Sequence, residues 1–334
     1  MFRCLSETLF LNTPNNLELK VEALKTLNFN SLKTCIGGLE LKNPTILASG
    51  IMGYSIGSFQ RVEEGGAGAV VTKSIGLEAR VGYPNPTIFQ ANNGLINAMG
   101  LPNPGISKYA LKISQAKNVL KIPLIVSIYG FSVEEYVKTA KKAAEMGADA
   151  IELNVSCPHV KKTGSEIGQD PEILAKVVRD VKASIQKPLI VKLSPNVTDI
   201  LTVASAAVDA GADVLTAINT VRAMAIDAET SYPVLSNTFG GLSGPAIKPI
   251  ALRCVFELHK KLNVPIIGCG GIIDWRDAVE FLLAGASAIQ IGTAIALKNP
   301  KVFSAINQGI IEYLKKNRIK KIKEIVGLAH KDAR

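Results

Sequence analysis

The chain has 334 residues, 47% of them hydrophobic and 20% charged, with 28 glycines and only 5% aromatics. That balance buries a large core and excludes a disordered chain, and the length fits one large α/β barrel without remainder. No apolar run approaches the roughly 18 residues that a membrane helix needs, and Met1–Glu7 carries an acid and lacks a signal-peptide core, so a cytoplasmic chain with no membrane partner is expected.

The formal charge of +10 suggests anionic partners. Six basic residues fall between Lys315 and Lys323, however, so much of that charge belongs to a solvated local face and does not by itself imply nucleic acid. The five cysteines (Cys4, Cys35, Cys157, Cys254, Cys269) are scattered and show no C-x-x-C spacing. Neither a disulfide framework nor a self-contained iron–sulfur or other metal site is expected.

In chain order, residues 1–33 form an extension with no strong pattern. Thr34–Ile36, Gly37-Gly38 and Leu39–Leu41 then read as a hairpin that could close the bottom of a barrel. Eight short apolar runs follow, beginning at Thr45, Ala69, Leu124, Ala150, Leu189, Val214, Val264 and Ala288. Such runs suit strands buried on both faces of a parallel sheet. Helical patterns lie between them, at Val133–Met146 and at Pro171–Ile185, the second opening on Asp170 as N-cap. Gly-Ala turns precede four runs, at Gly65–Gly68, Met146–Asp149, Ala210–Asp213 and Ala284–Ser287, where glycine would cap a helix C-terminus. The pattern predicts a (β/α)₈ barrel over residues 34–312, with a doubly wound sheet as the alternative, followed by a basic C-terminal helix and tail over 313–334.

In such a barrel the strand C-termini form the active-site mouth. They carry Ser49, Lys73, Ser127, Asn154, Lys192 and Asn219, and a ring of lysines and asparagines points to a polar ligand of anionic character. Runs seven and eight end in Gly268-Cys269-Gly270-Gly271 and Gly292-Thr293, turns suited to a phosphate. No G-x-G-x-x-G follows a strand, so a Rossmann unit is not expected. The stretch from Val155 to Gln169 is long for a βα loop and suggests a lid. Cys157 within it is a candidate base or nucleophile, whereas the other four cysteines read as small buried or incidental residues.

Asn154-Val155-Ser156-Cys157-Pro158, Asn97–Asn103, Thr72-Lys73-Ser74 and Gly240–Pro249 together resemble the class 1 dihydroorotate dehydrogenases. With Asn219-Thr220, Met224 and Asp227 the chain is most similar to class 1B, over about residues 34 to 330. The resemblance implies FMN in the barrel mouth and oxidation of (S)-dihydroorotate to orotate. It implies Cys157 as the base for the C5 proton, while hydride leaves C6 for flavin N5. Lys73, Asn97 and the backbone of Ala98, Met99, Gly100 and Leu101 would hold the substrate carboxylate; Asn154, Asn219 and Thr220 would bond the pyrimidine ring.

Toward FMN, the resemblance implies Lys192 at the N1/O2 edge and Gly270, Gly271, Gly292 and Thr293 at the phosphate. Ser49, Lys73, Ser74, Ser127, Asn154, Ile218 and Gly244 would make further flavin contacts. Two positions depart from the family pattern: His159 follows Cys-Pro where asparagine is usual, and Ser127 replaces a frequent asparagine. Class 1B further implies a homodimer, or a heterotetramer with a subunit carrying FAD and a [2Fe–2S] cluster that passes electrons to NAD⁺; class 1A would use fumarate directly. The competing readings are a tRNA-dihydrouridine synthase-like FMN enzyme, favoured only by the basic tail, and a non-catalytic flavin- or phosphate-binding barrel.

Overall fold

The computed structural model describes residues 29–156 and 167–331. Eight parallel strands close into a barrel: β1 Thr45–Leu47, β2 Ala69–Val71, β3 Leu124–Ile128, β4 Ala150–Asn154, β5 Leu189–Leu193, β6 Val214–Ala217, β7 Ile266–Cys269 and β8 Ala288–Ile291. Each pairs with its successor, and β8 returns to β1 through Ile289↔Thr45. Helices α1 Ile56–Glu64, α2 Ile106–Val119, α3 Val133–Glu145, α4 Pro171–Ser184, α5 Ile200–Asp209, α6 Lys248–Lys261 and α7 Trp275–Ala284 fill the seven crossovers; α8 Ala294–Lys298 and α9 Val302–Lys316 follow β8. This is the (β/α)₈ barrel, not a doubly wound sheet.

A fourfold repeat explains why the ring closes in register. Strands β1, β3, β5 and β7 follow Pro44, Pro123, Pro188 and Pro265, which have no N–H to give. Their carbonyls instead accept from Ile289, Val70, Ile151 and Leu215 of the adjoining strands, at 2.8–3.1 Å. Strands β2, β4, β6 and β8 follow the Gly-Ala turns, in which Gly66, Gly147, Gly211 and Gly285 all have positive φ. Past each glycine, the N–H of Gly68, Asp149, Asp213 or Ser287 donates to the first carbonyl of the preceding strand. Two turns add a clamp. Asp149 accepts from Leu124 N–H and Lys117 Nζ, and Asp213 from Leu189 N–H and Lys182 Nζ.

Helix starts are as regular: Ser55, Ser132, Asp170, Asp199 and Asp274 each accept N–H bonds from the first turn that follows. The apolar layer between barrel and helices is the larger core. A second core fills the lower barrel with Ile46, Val71, Ile125, Ile190, Val214 and Ile267, and the hairpin Thr34–Ile36/Leu39–Leu41 seals it from below with Ile36 and Leu41.

The end of the chain differs from a single basic helix. Helix α9 stops at Lys316, so only two of the six clustered basic residues lie on it; all six are exposed. Beyond it, short 3₁₀ turns bury Ile322 and Ile325, Gly327 N–H donates to Leu282 O, and the His330 ring stacks on Phe256 at 3.8 Å. Apolar anchors and the partnered backbone hold this segment down. Among the described residues, no helix is long and apolar enough to cross a membrane.

Candidate active site

Two long excursions roof the C-terminal end of the barrel, residues 72–105 after β2 and 218–247 after β6. Their strands Ile88–Ala91, Gly94–Asn97, Val221–Met224 and Phe239–Ser243 pair into one antiparallel sheet. The register Gly241↔Asn97 sets Asn97 close to Thr220, because a Cβ on Gly241 would collide with the Thr220 hydroxyl. Asn103 locks the first excursion: it accepts from Gly76 and Gly105 N–H and donates to Leu101 O and the Tyr129 hydroxyl. Beneath this roof lies a cavity of about 320 Å³.

One wall is a continuous polar chain. Ser74 Oγ lies 3.2 Å from Ser49 Oγ and 2.9 Å from Ser127 Oγ, and accepts from Asn154 Nδ2 at 3.1 Å. Asn154 Oδ1 in turn accepts from Asn219 Nδ2, which also donates to Ser156 Oγ at 3.0 Å. The Thr220 N–H donates to Asn219 Oδ1. Lys73 stands at the same wall, half-buried, and among the described residues no carboxylate lies within ion-pair distance of its ammonium. Burial pushes the Lys73 pKa down. A desolvated cation among amide groups is suited to a planar ligand that carries a carboxylate.

The opposite wall is made of backbone. Among the described residues, the N–H groups of Gly270, Gly271, Gly292 and Thr293 have no protein acceptor. Gly271 (φ +75°) lies against Lys248, where a Cβ would come within 2.7 Å of that side chain. A Cβ on Gly270 would meet Ala251 at the same distance. Unpaired N–H groups on two adjacent glycine turns form an anion cradle, and their chemistry fits the phosphate of a flavin mononucleotide.

The cavity floor is charged. Lys192, nearly fully buried, donates to Gln290 Oε1 at 2.8 Å, and Gln290 Nε2 donates to Glu152 Oε2 at 2.5 Å. Thr216 Oγ1 also donates to Glu152 Oε2, at 3.3 Å. Burial pulls the Lys192 pKa down, but the adjacent Cys269 sulfur and Glu152 carboxylate outweigh it and hold the pKa above the usual lysine range. Burial pushes the Cys269 thiol up, against the pull of Lys192.

Of the residues expected at the site, nearly all the described ones line this one cavity: Ser49, Lys73, Ser74, Asn97, Met99, Leu101, Ser127, Asn154, Lys192, Ile218, Asn219, Thr220, Gly244, Gly270, Gly271, Gly292 and Thr293. Ala98 and Gly100 do not line it; the Ala98 N–H is already given to Thr87 O at 2.8 Å, so that peptide is not free to bind a carboxylate. Cys157 and His159 lie outside the described residues. Ser127, at the departure from the family pattern, is fully buried and bonded to Ser74.

Three residues at or beneath the cavity escaped sequence reading. Cys269, read as incidental, lines the cavity beside Lys192. Gln290 also lines it, and Glu152 lies beneath both, linked through Gln290. Strand alternation could have flagged them, since Glu152 and Gln290 are inward-facing positions that a barrel ordinarily fills with branched apolar side chains.

The family model for dihydroorotate dehydrogenase matches residues 31–314. The chain belongs to the dihydroorotate dehydrogenase family. It is 53% identical over 300 residues to the "dihydroorotate dehydrogenase B (NAD(+)), catalytic subunit" of Pyrococcus abyssi, covering 90% of this chain and 99% of that one. It is 54% identical to the Thermococcus kodakarensis protein of the same name (88% and 96% covered) and 49% identical to that of Methanocaldococcus jannaschii (90% and 98%). These relatives place it with class 1B, and the membership decides against the tRNA-dihydrouridine synthase-like alternative.

Proposed function

We propose that this chain is the FMN-dependent catalytic subunit of a class 1B dihydroorotate dehydrogenase, oxidising (S)-dihydroorotate to orotate in pyrimidine biosynthesis. The observation that carries this reading is the composition of the cavity under the roof. It has one wall of amides with a lysine that has no carboxylate partner among the described residues, one cradle of glycine N–H groups, and the buried Lys192.

The assignments follow from those walls. Gly270, Gly271, Gly292 and Thr293 would hold the FMN phosphate, Lys192 would supply a cation to its pyrimidine edge, and Ser49, Ser74, Ser127, Ile218 and Gly244 would make the further contacts to the ring. When bound, FMN supplies the hydride acceptor for substrate C6. Lys73 and Asn97 hold the substrate carboxylate, and Met99 and Leu101, whose N–H groups have no protein acceptor among the described residues, line the same cavity. Asn154, Asn219 and Thr220 orient the ring, so the amide chain converts a diffusing substrate into one fixed pose. Cys157 takes the C5 proton. A thiol is a competent base only as thiolate, and lysines at the same mouth favour that form. A fixed cation at the flavin edge stabilises the charge that builds there as hydride arrives.

The relatives' name, a catalytic subunit of an NAD(+)-linked enzyme, supports export of electrons to NAD⁺ through a separate subunit carrying FAD and a [2Fe–2S] cluster. The assembly we infer is a homodimer of this chain that recruits that subunit into a heterotetramer. Anaerobic addition of dihydroorotate to the yellow, FMN-loaded chain tests the activity: the flavin should bleach in a single turnover. A folded chain that carries no flavin, or flavin that dihydroorotate leaves oxidised, would overturn the reading. Turnover with fumarate alone, and none with NAD⁺ plus the partner subunit, would overturn the acceptor assignment.

A further inference from the structure

The inner layer just beneath the mouth breaks the rule of apolar filling. Glu152 on β4, Thr216 on β6 and Gln290 on β8 point inward at 0–1% exposure, where branched apolar residues pack best. Glu152 is costly there. Its Oε1 is buried without any hydrogen-bond partner among the described residues, and an uncompensated carboxylate oxygen carries a desolvation penalty. Apolar side chains of similar volume commonly replace buried ion pairs with no loss of stability. The retained carboxylate therefore has a role beyond packing.

Its bonds show which group it serves. Glu152 Oε2 accepts from Gln290 Nε2, and the other end of that same amide accepts from Lys192 Nζ. The amide fixes the ammonium's position, and the carboxylate supplies the negative charge that a buried ammonium needs. The titratable groups facing Lys192 are Glu152 and Cys269, with Lys73 across the cavity. Lys73 is of the wrong sign. The Cys269 sulfur also favours the ammonium, but burial holds it toward the neutral thiol, and the group joined to Lys192 through a hydrogen-bonded amide is Glu152. The counter-charge is Glu152.

We propose that Glu152, acting through Gln290, is the positioning residue that keeps Lys192 protonated and aimed at the cavity, and so sets the redox potential of the bound flavin. This rests on the FMN reading above. Without the carboxylate, burial would neutralise Lys192 as pH rises, and the cavity would lose its cation on the alkaline side.

The test uses the full-length holoprotein and measures the two-electron flavin midpoint potential between about pH 6 and pH 9, the span between ordinary histidine and lysine titration. In Glu152→Gln, FMN should stay bound at wild-type stoichiometry. The oxidised-to-reduced equilibrium should move at least tenfold toward oxidised flavin at the alkaline end, about 30 mV for a two-electron couple. The difference from wild type should shrink toward acid pH, where Lys192 regains its proton. Gln290→Leu should behave in the same way, and Glu152→Asp should restore part of the shift.

FMN bound to Glu152→Gln with the wild-type potential across the range would overturn the proposal. Where a variant loses FMN, a double-mutant cycle on thermal unfolding of the flavin-free chain decides. Glu152→Gln and Lys192→Met should couple, the double variant being less destabilised than the sum; strict additivity would overturn the pairing. A wild-type chain that never binds FMN would refute the functional reading, and the same cycle would still decide the pairing.

Discussion

The two ends of this barrel obey different rules. At the lower end Ile46, Ile125, Ile190, Val214 and Ile267 pack together in the interior and a hairpin closes it. One layer higher the inward residues are Glu152, Thr216, Gln290 and Lys192, held in a single hydrogen-bonded chain. The strands are continuous through both layers. The backbone therefore does not decide what the interior holds, and a barrel can devote one end to stability and the other to charge.

Substitutions should separate the ends, and the largest effect belongs to the mouth. Cys157→Ala should slow anaerobic flavin reduction by dihydroorotate by at least about 10²-fold, the usual contribution of a positioned base. Stopped-flow bleaching checks this, with flavin content unchanged. At the lower end Ile190→Ala should cost about 2–5 kcal/mol of stability by leaving a cavity in a sealed layer. Denaturant titration would read that loss, while the folded fraction should still bind FMN at full stoichiometry. Loss of flavin affinity in step with stability would show that the two ends are not separable.

A smaller effect concerns pH. Burial disfavours the charged form of Lys73, so its ammonium, the form that pairs with a carboxylate, is lost at lower pH than for an ordinary lysine. The value of kcat/KM should therefore fall as pH rises through that lowered pKa. Lys73→Arg, which keeps its charge, should remove this descending limb even where it lowers the rate. Smallest of all, exchanging the six basic residues between Lys315 and Lys323 for glutamine should leave flavin reduction nearly unchanged. Those residues are exposed and lie at or beyond the end of α9, where salt screens them from the mouth.

Much of this was legible in the sequence because the responsible signals are local. The eight apolar runs, the Gly-Ala turns and the Asp170 cap each act over a few residues, and the polar residue ending a run is a mouth residue by topology alone. Glu152, Gln290 and Cys269 were not legible, since each is one polar position within or ending an apolar run. Only the closed ring brings β4, β5, β7 and β8 to one point. The partner of the Ala98 N–H was hidden for a related reason: it is Thr87, fixed by the roof sheet rather than by the Asn97–Asn103 motif. The basic end of the chain misled because charge density hid the apolar anchors Ile322 and Ile325.

The seam between β8 and β1 has a bearing on how the protein is made. Ile289 N–H joins Pro44 O, and Asn307 on α9 reaches back to Thr45 Oγ1 and Gly66 O, contacts spanning more than 240 positions. Ring closure thus depends on contacts of very high sequence separation. The glycine turns proposed to hold the phosphate, at 270–271 and 292–293, lie in the last fifth of the chain. A ribosome that has not yet released this stretch presents an open ribbon of strands with no cradle and no seam. Completion of the proposed cradle therefore belongs to the finished polypeptide, and a product truncated before β8 would lack the Gly292–Thr293 turn and the seam.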